Sequence, residues 1–130
     1  MTDQLLLDTH TLLWWAADRS QLSSKANDAI EDGGNDVYVS PVSAMEIATK
    51  VRIRKLDFGQ SLARNFRRQM AERGFLELVL TYEHSELAGS FEADHNDPWD
   101  RLLAAQAQIE GLKLVTNDSK ICRFGVETYW

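Results

Sequence analysis

Leu5-Leu6-Leu7-Asp8 decides the fold: three consecutive apolar residues that stop abruptly at a carboxylate. A half-buried strand alternates apolar and polar side chains. A short run that is apolar throughout fits a strand covered on both faces, as in a parallel sheet. Reading outward, residues 10–17 look helical. Leu22 to Asp32 reads as a second helix, capped by Ser23 or Ser24 and stopped by Gly33-Gly34. Val37-Tyr38-Val39 is rich in β-formers and is followed by Ser40-Pro41, so it predicts a second strand and a turn.

From Val42 to Ile53, the residues Ala44, Ile47, Ala48 and Val51 repeat at helical spacing. A further helix is expected over 60–73, strongly charged on one side and ended by Gly74. Leu78-Val79-Leu80 predicts a third strand, and Thr81 caps a helix over 83–91. Asp97-Pro98-Trp99-Asp100 is a clean helix start: a capping acid, proline at the first helical position, and an acid where a capping box wants one. That helix runs to Glu110 and stops at Gly111. Leu112 to Val115 is the fourth strand, Ser119 to Phe124 a short helical segment, and Val126 to Tyr129 a last strand. Strands alternate with helices throughout, which argues for a layered α/β fold with a mainly parallel sheet.

The 130 residues suit one domain over 1–130, and 44% hydrophobic residues supply a core without disulfides. Cys122 is the sole cysteine and reads as a small buried hydrophobe, which fits a reducing, cytoplasmic setting. No secretory leader is expected, and the run Leu12 to Ala17 is too short to cross a membrane. Net charge is −6, unpromising for a nucleic-acid binder. Its distribution softens that objection. Basic residues from Lys50 to Arg73, among them Arg52, Arg54 and Lys55, crowd one stretch, and acids from Glu83 to Asp100 crowd another. A basic face for an RNA backbone or a partner protein is therefore compatible with an acidic pocket; a pair of solvated helix faces is the plainer account.

Four acids stand out. Asp8 ends the first strand, Asp118 lies three residues past Val115, Asp100 lies in the first turn of its helix, and Glu46 lies near the start of the helix after the second strand. In a parallel sheet all four fall at the carboxyl edge, where open α/β sheets form their sites. Clustered carboxylates repel and resist desolvation unless a hard cation joins them. Mg²⁺ or Mn²⁺ fits oxygen ligands, polarises a phosphoryl oxygen and activates water. Asp8 and Asp100 are the expected principal ligands, with Glu46 and Asp118 holding its waters or a second ion. Asp100, at a helix N-terminus, is expected to favour its ionised form. Each acid also has a plainer role. Asp8 caps a helix, Asp100 completes a capping box, Asp118 forms an Asx-turn, and Glu46 faces solvent. His10, His84 and His95 lack metal-ligand spacing and read as surface or capping residues.

The same residues carry a resemblance. Leu5-Leu6-Leu7-Asp8-Thr9-His10, Ser40-Pro41-Val42-Ser43-Ala44-Met45-Glu46-Ile47, Asp97-Pro98-Trp99-Asp100-Arg101-Leu102-Leu103-Ala104-Ala105-Gln106-Ala107 and Leu114-Val115-Thr116-Asn117-Asp118 occur in an order that resembles the PIN-domain ribonucleases, in particular the VapC-type toxins of toxin–antitoxin pairs. The resemblance implies a three-layer α/β/α sandwich and a Mg²⁺- or Mn²⁺-dependent endoribonuclease. It implies that Asp8, Glu46, Asp100 and Asp118 form the acidic catalytic pocket, supported by hydrogen bonds from Ser43 and Thr116. It further implies an RNA substrate, a cognate antitoxin and a homodimer. Trp14, Trp15 and Trp99 are candidates for antitoxin contact, against ordinary core packing. Arg101 is a candidate phosphate contact, against a surface pair with Glu110 or Asp97.

Two rival functions remain at this point. A phosphotransfer domain also places an Asp after a parallel strand and binds Mg²⁺. Here, however, Asp8-Thr9-His10 offers neither an adjacent acid pair nor an Asp two residues on, and Leu78 to Leu80 ends in Thr81. The other rival is a non-catalytic module that uses the acidic edge to hold a basic peptide.

Overall fold

The computed structural model describes residues 2–56 and 60–130. Among them five strands, with β3 at Leu76–Glu77 and β5 at Thr128–Tyr129 on the two edges, form one sheet in the order β3-β2-β1-β4-β5, every pair parallel. β1 (Gln4–Leu7) is central, between β2 (Asp36–Val39) and β4 (Lys113–Val115). The apolar run that opened the reading is fully covered: Leu5, Leu6 and Leu7 are all 0% exposed.

The pleat sends alternate residues to opposite cores. Leu5, Leu7, Val37, Val39 and Val115 join one core with α1 (Thr9–Ala17) and α2 (Ser24–Glu31). Leu6 and Leu114 join the other with α6 (Pro98–Glu110). α3 (Pro41–Arg52) serves both, Ile47 in the first and Val42 in the second. The result is the expected three-layer α/β/α arrangement. None of the described helices is long and apolar enough to cross a membrane.

The caps follow the sequence closely. Asp8, Ser23, Ser40, Thr81 and Asp97 each accept a backbone N–H at the start of a helix. Thr81 forms a reciprocal box with His84, which begins α5 (Tyr82–Ser90). Gly111 ends α6 at φ +68°, a conformation natural to glycine.

Three expectations are corrected. The helix over 60–73 shrinks to α4 (Phe66–Glu72), because Asn65 stands before it in a left-handed conformation through which a helix cannot run. The third strand is Leu76–Glu77, not Leu78 to Leu80. β3 pairs only with the end of β2, Tyr38 with Leu76 and Val39 with Glu77, and Leu78 makes the last ladder bond to the Val39 carbonyl. Beyond Val39 the chain turns into the cap of α3, so Val79 and Leu80 have no strand to join and are exposed. Cys122 is exposed rather than buried, since the 3-10 turn Ile121–Phe124 gives its inward positions to Ile121 and Phe124.

Candidate metal centre

The strand order reverses at β1. The chain proceeds from β1 to β2 and β3 on one side and places β4 and β5 on the other. That leaves a crevice between the carboxyl ends of β1 and β4, where no crossover helix closes the space. A cavity of about 560 Å³ lies there, and Asp8, Glu46, Asp100 and Asp118 all line it. So do Lys50, His95 and Lys120, with His10 and Trp14 nearer the start of α1.

Asp8 follows β1 directly and is buried. Its Oδ1 accepts the Thr11 N–H at 2.7 Å, so it caps α1 and faces the cavity at once. Burial pushes its carboxyl above the usual range, and hydrogen bonds from Thr116 and Thr11 pull partly back. The Thr116 hydroxyl also accepts the Asp118 N–H at 3.1 Å, so one side chain ties together the acids that follow β1 and β4. Asp118 Oδ1 accepts the Lys120 N–H at 2.9 Å, an Asx-turn that runs forward from Asp118 rather than within Thr116-Asn117-Asp118. A turn role and a place in the cavity therefore coexist.

Ser43 is buried, with its Oγ 3.0 Å from Thr9 Oγ1. It is not among the residues lining the cavity. Its support acts by pinning α3 to the first residue of α1, next to Asp8. Glu46 does not face solvent: it is 3% exposed. Its Oε2 lies 2.6 Å from Lys50 Nζ, and its buried Oε1 has no hydrogen-bond partner among the described residues. A buried carboxylate oxygen left without a donor is costly and suits a cation.

Asp100 departs from its expected ionisation. Its pKa is pushed up to about 6, chiefly by burial; the His95 hydrogen bond opposes this, and the nearby Asp97 and Asp8 charges add to it. The helix N-terminus does not overcome that desolvation. Asp97 takes the capping role alone, accepting from the N–H groups of Trp99 and Asp100.

His95, expected to be a surface or capping residue, instead lines the cavity against Asp100. Its Nε2 lies 2.7 Å from Asp100 Oδ2, and His95, Asp100 and Asp118 each offer a ligand atom within 4.8 Å of the other two. It sits in an irregular loop five residues before Asp100, so no helical or strand period could link them. Lys120 was missed for the same reason. Lys50 carried a legible signal, four residues after Glu46 on one helix.

The remaining candidates separate. Arg101 makes neither a free surface contact nor a pair with Glu110 or Asp97. Its guanidinium donates to the carbonyls of Ala88, Phe91, Ala93 and His95, which occupies it structurally. Arg52, Arg54 and Lys55 are exposed at and beyond the end of α3, and none lines the cavity. Trp14 is half-buried between His10 and Trp130, Trp15 packs against Phe75, and Trp99 packs on the core beneath α6. His84 is a buried cap whose Nε2 meets Glu110.

The donor set fits a hard divalent cation: several carboxylates around one cavity, an orphaned buried oxygen on Glu46, and carboxylate oxygens of Asp100 and Asp118 within 4.8 Å of each other. Comparison with known proteins supplies the family and the fold. A family model described as PIN domain matches residues 5–127. Ribonuclease VapC22 of Mycobacterium tuberculosis is 31% identical over 121 residues, covering 90% of this chain and 88% of the relative. Among solved structures, VapBC2 from Rickettsia felis, bound to a promoter DNA fragment, superposes with a TM-score of 0.72 at 14% identity over 98% of both chains. A toxin–antitoxin complex from Klebsiella pneumoniae gives 0.63 at 20% identity over 89% of this chain and 88% of that one. At those identities the structures speak for the fold alone.

Proposed function

The chain belongs to the PIN domain family, and on that premise we propose that it is a divalent-metal-dependent endoribonuclease, the toxin of a toxin–antitoxin pair. The observation that carries the catalytic part is Glu46. Its carboxylate is buried in the wall of the cavity that Asp8, Asp100 and Asp118 share, with one oxygen left unpaired. A module for binding a basic peptide has no need of a buried, half-satisfied acid. The ribonuclease reading is supported by the likeness to Ribonuclease VapC22, and the toxin role with a cognate antitoxin as partner by the likeness in fold to the toxin–antitoxin complex from Klebsiella pneumoniae. A homodimer and a cytoplasmic setting belong to the same reading.

Asp8, Asp100, Asp118 and Glu46 would hold Mg²⁺ or Mn²⁺, which when bound supplies charge for the phosphoryl oxygens and an acidified water. The protein's own part is positioning. Thr116 fixes Asp8 against Asp118, and Ser43 fixes the start of α1 through Thr9. Lys50 and Lys120 bring positive charge to the rim of an otherwise anionic cavity, where an RNA phosphate must approach. The exposed Arg52, Arg54 and Lys55 extend that charge along the surface.

Purified protein should cleave RNA only with a divalent ion, and chelation should stop it. Asp8→Asn and Asp100→Asn should lose cleavage while staying folded. Folded wild-type protein that cleaves no RNA with Mg²⁺ or Mn²⁺ would overturn the proposal.

A further inference from the structure

Among the described residues, Asp100 is the one site acid whose carboxylate meets an imidazole. His95 Nε2 lies 2.7 Å from Asp100 Oδ2, with the two side chains 15% and 19% exposed. With Asp100 ionised, the bond is made by the imidazole form that carries its hydrogen on Nε2.

His95 is itself held on two sides. Its ring packs on Phe124 with centroids 5.8 Å apart at 37°. Its carbonyl accepts Arg101 Nη1 at 2.8 Å. Arg101 holds more than that carbonyl. It also bonds the carbonyls of Ala88 at 2.8 Å, Ala93 at 3.2 Å and Phe91, and its guanidinium lies 5.6 Å from the Phe124 ring centre. Residues 91–97 have neither helix nor strand to fix them. One side chain from the first turn of α6 therefore does what a backbone ladder does elsewhere. It returns His95 to Asp100, the residue immediately before Arg101.

We propose that His95 is a positioning residue of the metal site: its Nε2–H holds Asp100 Oδ2 and leaves Oδ1 for the cation, while Arg101 holds His95. This rests on the metal-site reading given above. The chemistry favours a hydrogen bond here. Carboxylates that bind metals are themselves hydrogen-bonded, which fixes their rotamer before the ion arrives. Lys50 on Glu46 brings a full positive charge that competes with a cation. The His95 ring reaches Asp100 through one N–H on Oδ2, so it fixes the carboxylate while leaving Oδ1 open.

The test is Mn²⁺ binding at pH 7.5, followed by the loss of the free-ion EPR signal, in wild type, His95→Leu and His95→Gln. Leucine keeps apolar contact with Phe124 and removes the donor. Glutamine restores an N–H at similar reach. His95→Leu should weaken Mn²⁺ binding by about 10- to 100-fold. His95→Gln should stay within about 3-fold of wild type, a difference under 1 kcal/mol. Pulsed EPR of the wild-type Mn²⁺ complex should show no directly coordinated imidazole nitrogen. If His95→Leu does not fold, His95→Phe preserves the ring packing and takes its place.

Unchanged affinity in the donorless variant would overturn the proposal. So would equal weakening in His95→Gln, or a directly bound nitrogen, which would make His95 a ligand instead. Wild-type protein that binds no Mn²⁺ would sink the metal-site reading itself, and this inference with it; in the other failures that reading survives.

Discussion

At the residue scale, Asp8 and Asp100 oppose folding in the absence of a cation. Asp100 has its pKa raised to about 6 from an ordinary 3.8, and Asp8 is raised as well. Below the ordinary value both folded and unfolded chains are protonated and no penalty arises. As pH rises through about 6 the folded carboxylate must ionise where burial disfavours it. Stability of the metal-free protein should therefore fall across that window, by on the order of 3 kcal/mol from Asp100. Chemical denaturation with chelator at pH 4.5 and 7.5 checks the sign. Asp100→Asn should flatten this dependence and stabilise the metal-free protein at pH 7.5, while lowering cleavage by at least about 100-fold. A variant less stable than wild type at pH 7.5 would refute the desolvation account. Cleavage should also decline as pH falls through about 6, because protons then compete with the ion for Asp100.

At the element scale, the caps carry consequences that do not depend on function. Ser40 is fully buried and its Oγ accepts the Val42 N–H at 3.0 Å. Ser40→Ala should cost about 1–2 kcal/mol in denaturant unfolding. Gly111→Ala should cost about 1 kcal/mol, because alanine gains strain at φ +68° although nothing lies within 4 Å of its Cβ. The long elements were legible because their signals are local: apolar period, capping side chain, terminal glycine. α6 was read to its last residue on those grounds. α4 and β3 were not. The left-handed Asn65 and the short pairing partner of Leu76–Glu77 are decided by neighbours that no local pattern encodes. Asp8, Asp100 and Asp118 could be placed at one edge because a parallel sheet puts all its helix starts there. Glu46 could be placed but its burial could not.

At the scale of the whole molecule, the sheet and its crevice would form one thermodynamic unit with the proposed ion. An ion that binds only the folded chain stabilises it by mass action, about 2.7 kcal/mol at a hundred times its dissociation constant. Mn²⁺ should therefore raise the thermal midpoint of wild type in a concentration-dependent way, and should do so much less for Asp8→Asn. An equal shift in both proteins would place the ion elsewhere. Truncation at the central strand tests the scaffold separately: Leu6→Ala should cost about 2–5 kcal/mol, since Leu6 has no exposure and sits in the core under α6.

The alternation of strands and helices, the parallel sheet and the edge at which four acids gather are all written in the order of residues along the chain. Each of these follows from short-range periodicity and the geometry of a parallel crossover. Which polar atoms go unpaired, and which residues meet across the crevice, follow from the packing of the layers instead. The orphaned oxygen of Glu46, the bridge of Thr116 between Asp8 and Asp118, and the Arg101–His95–Asp100 chain depend on packing between segments with no shared period. Burial is a property of the assembled layers. For the same reason, the helix N-terminus expected to favour an ionised Asp100 was outweighed by the desolvation that assembly imposes.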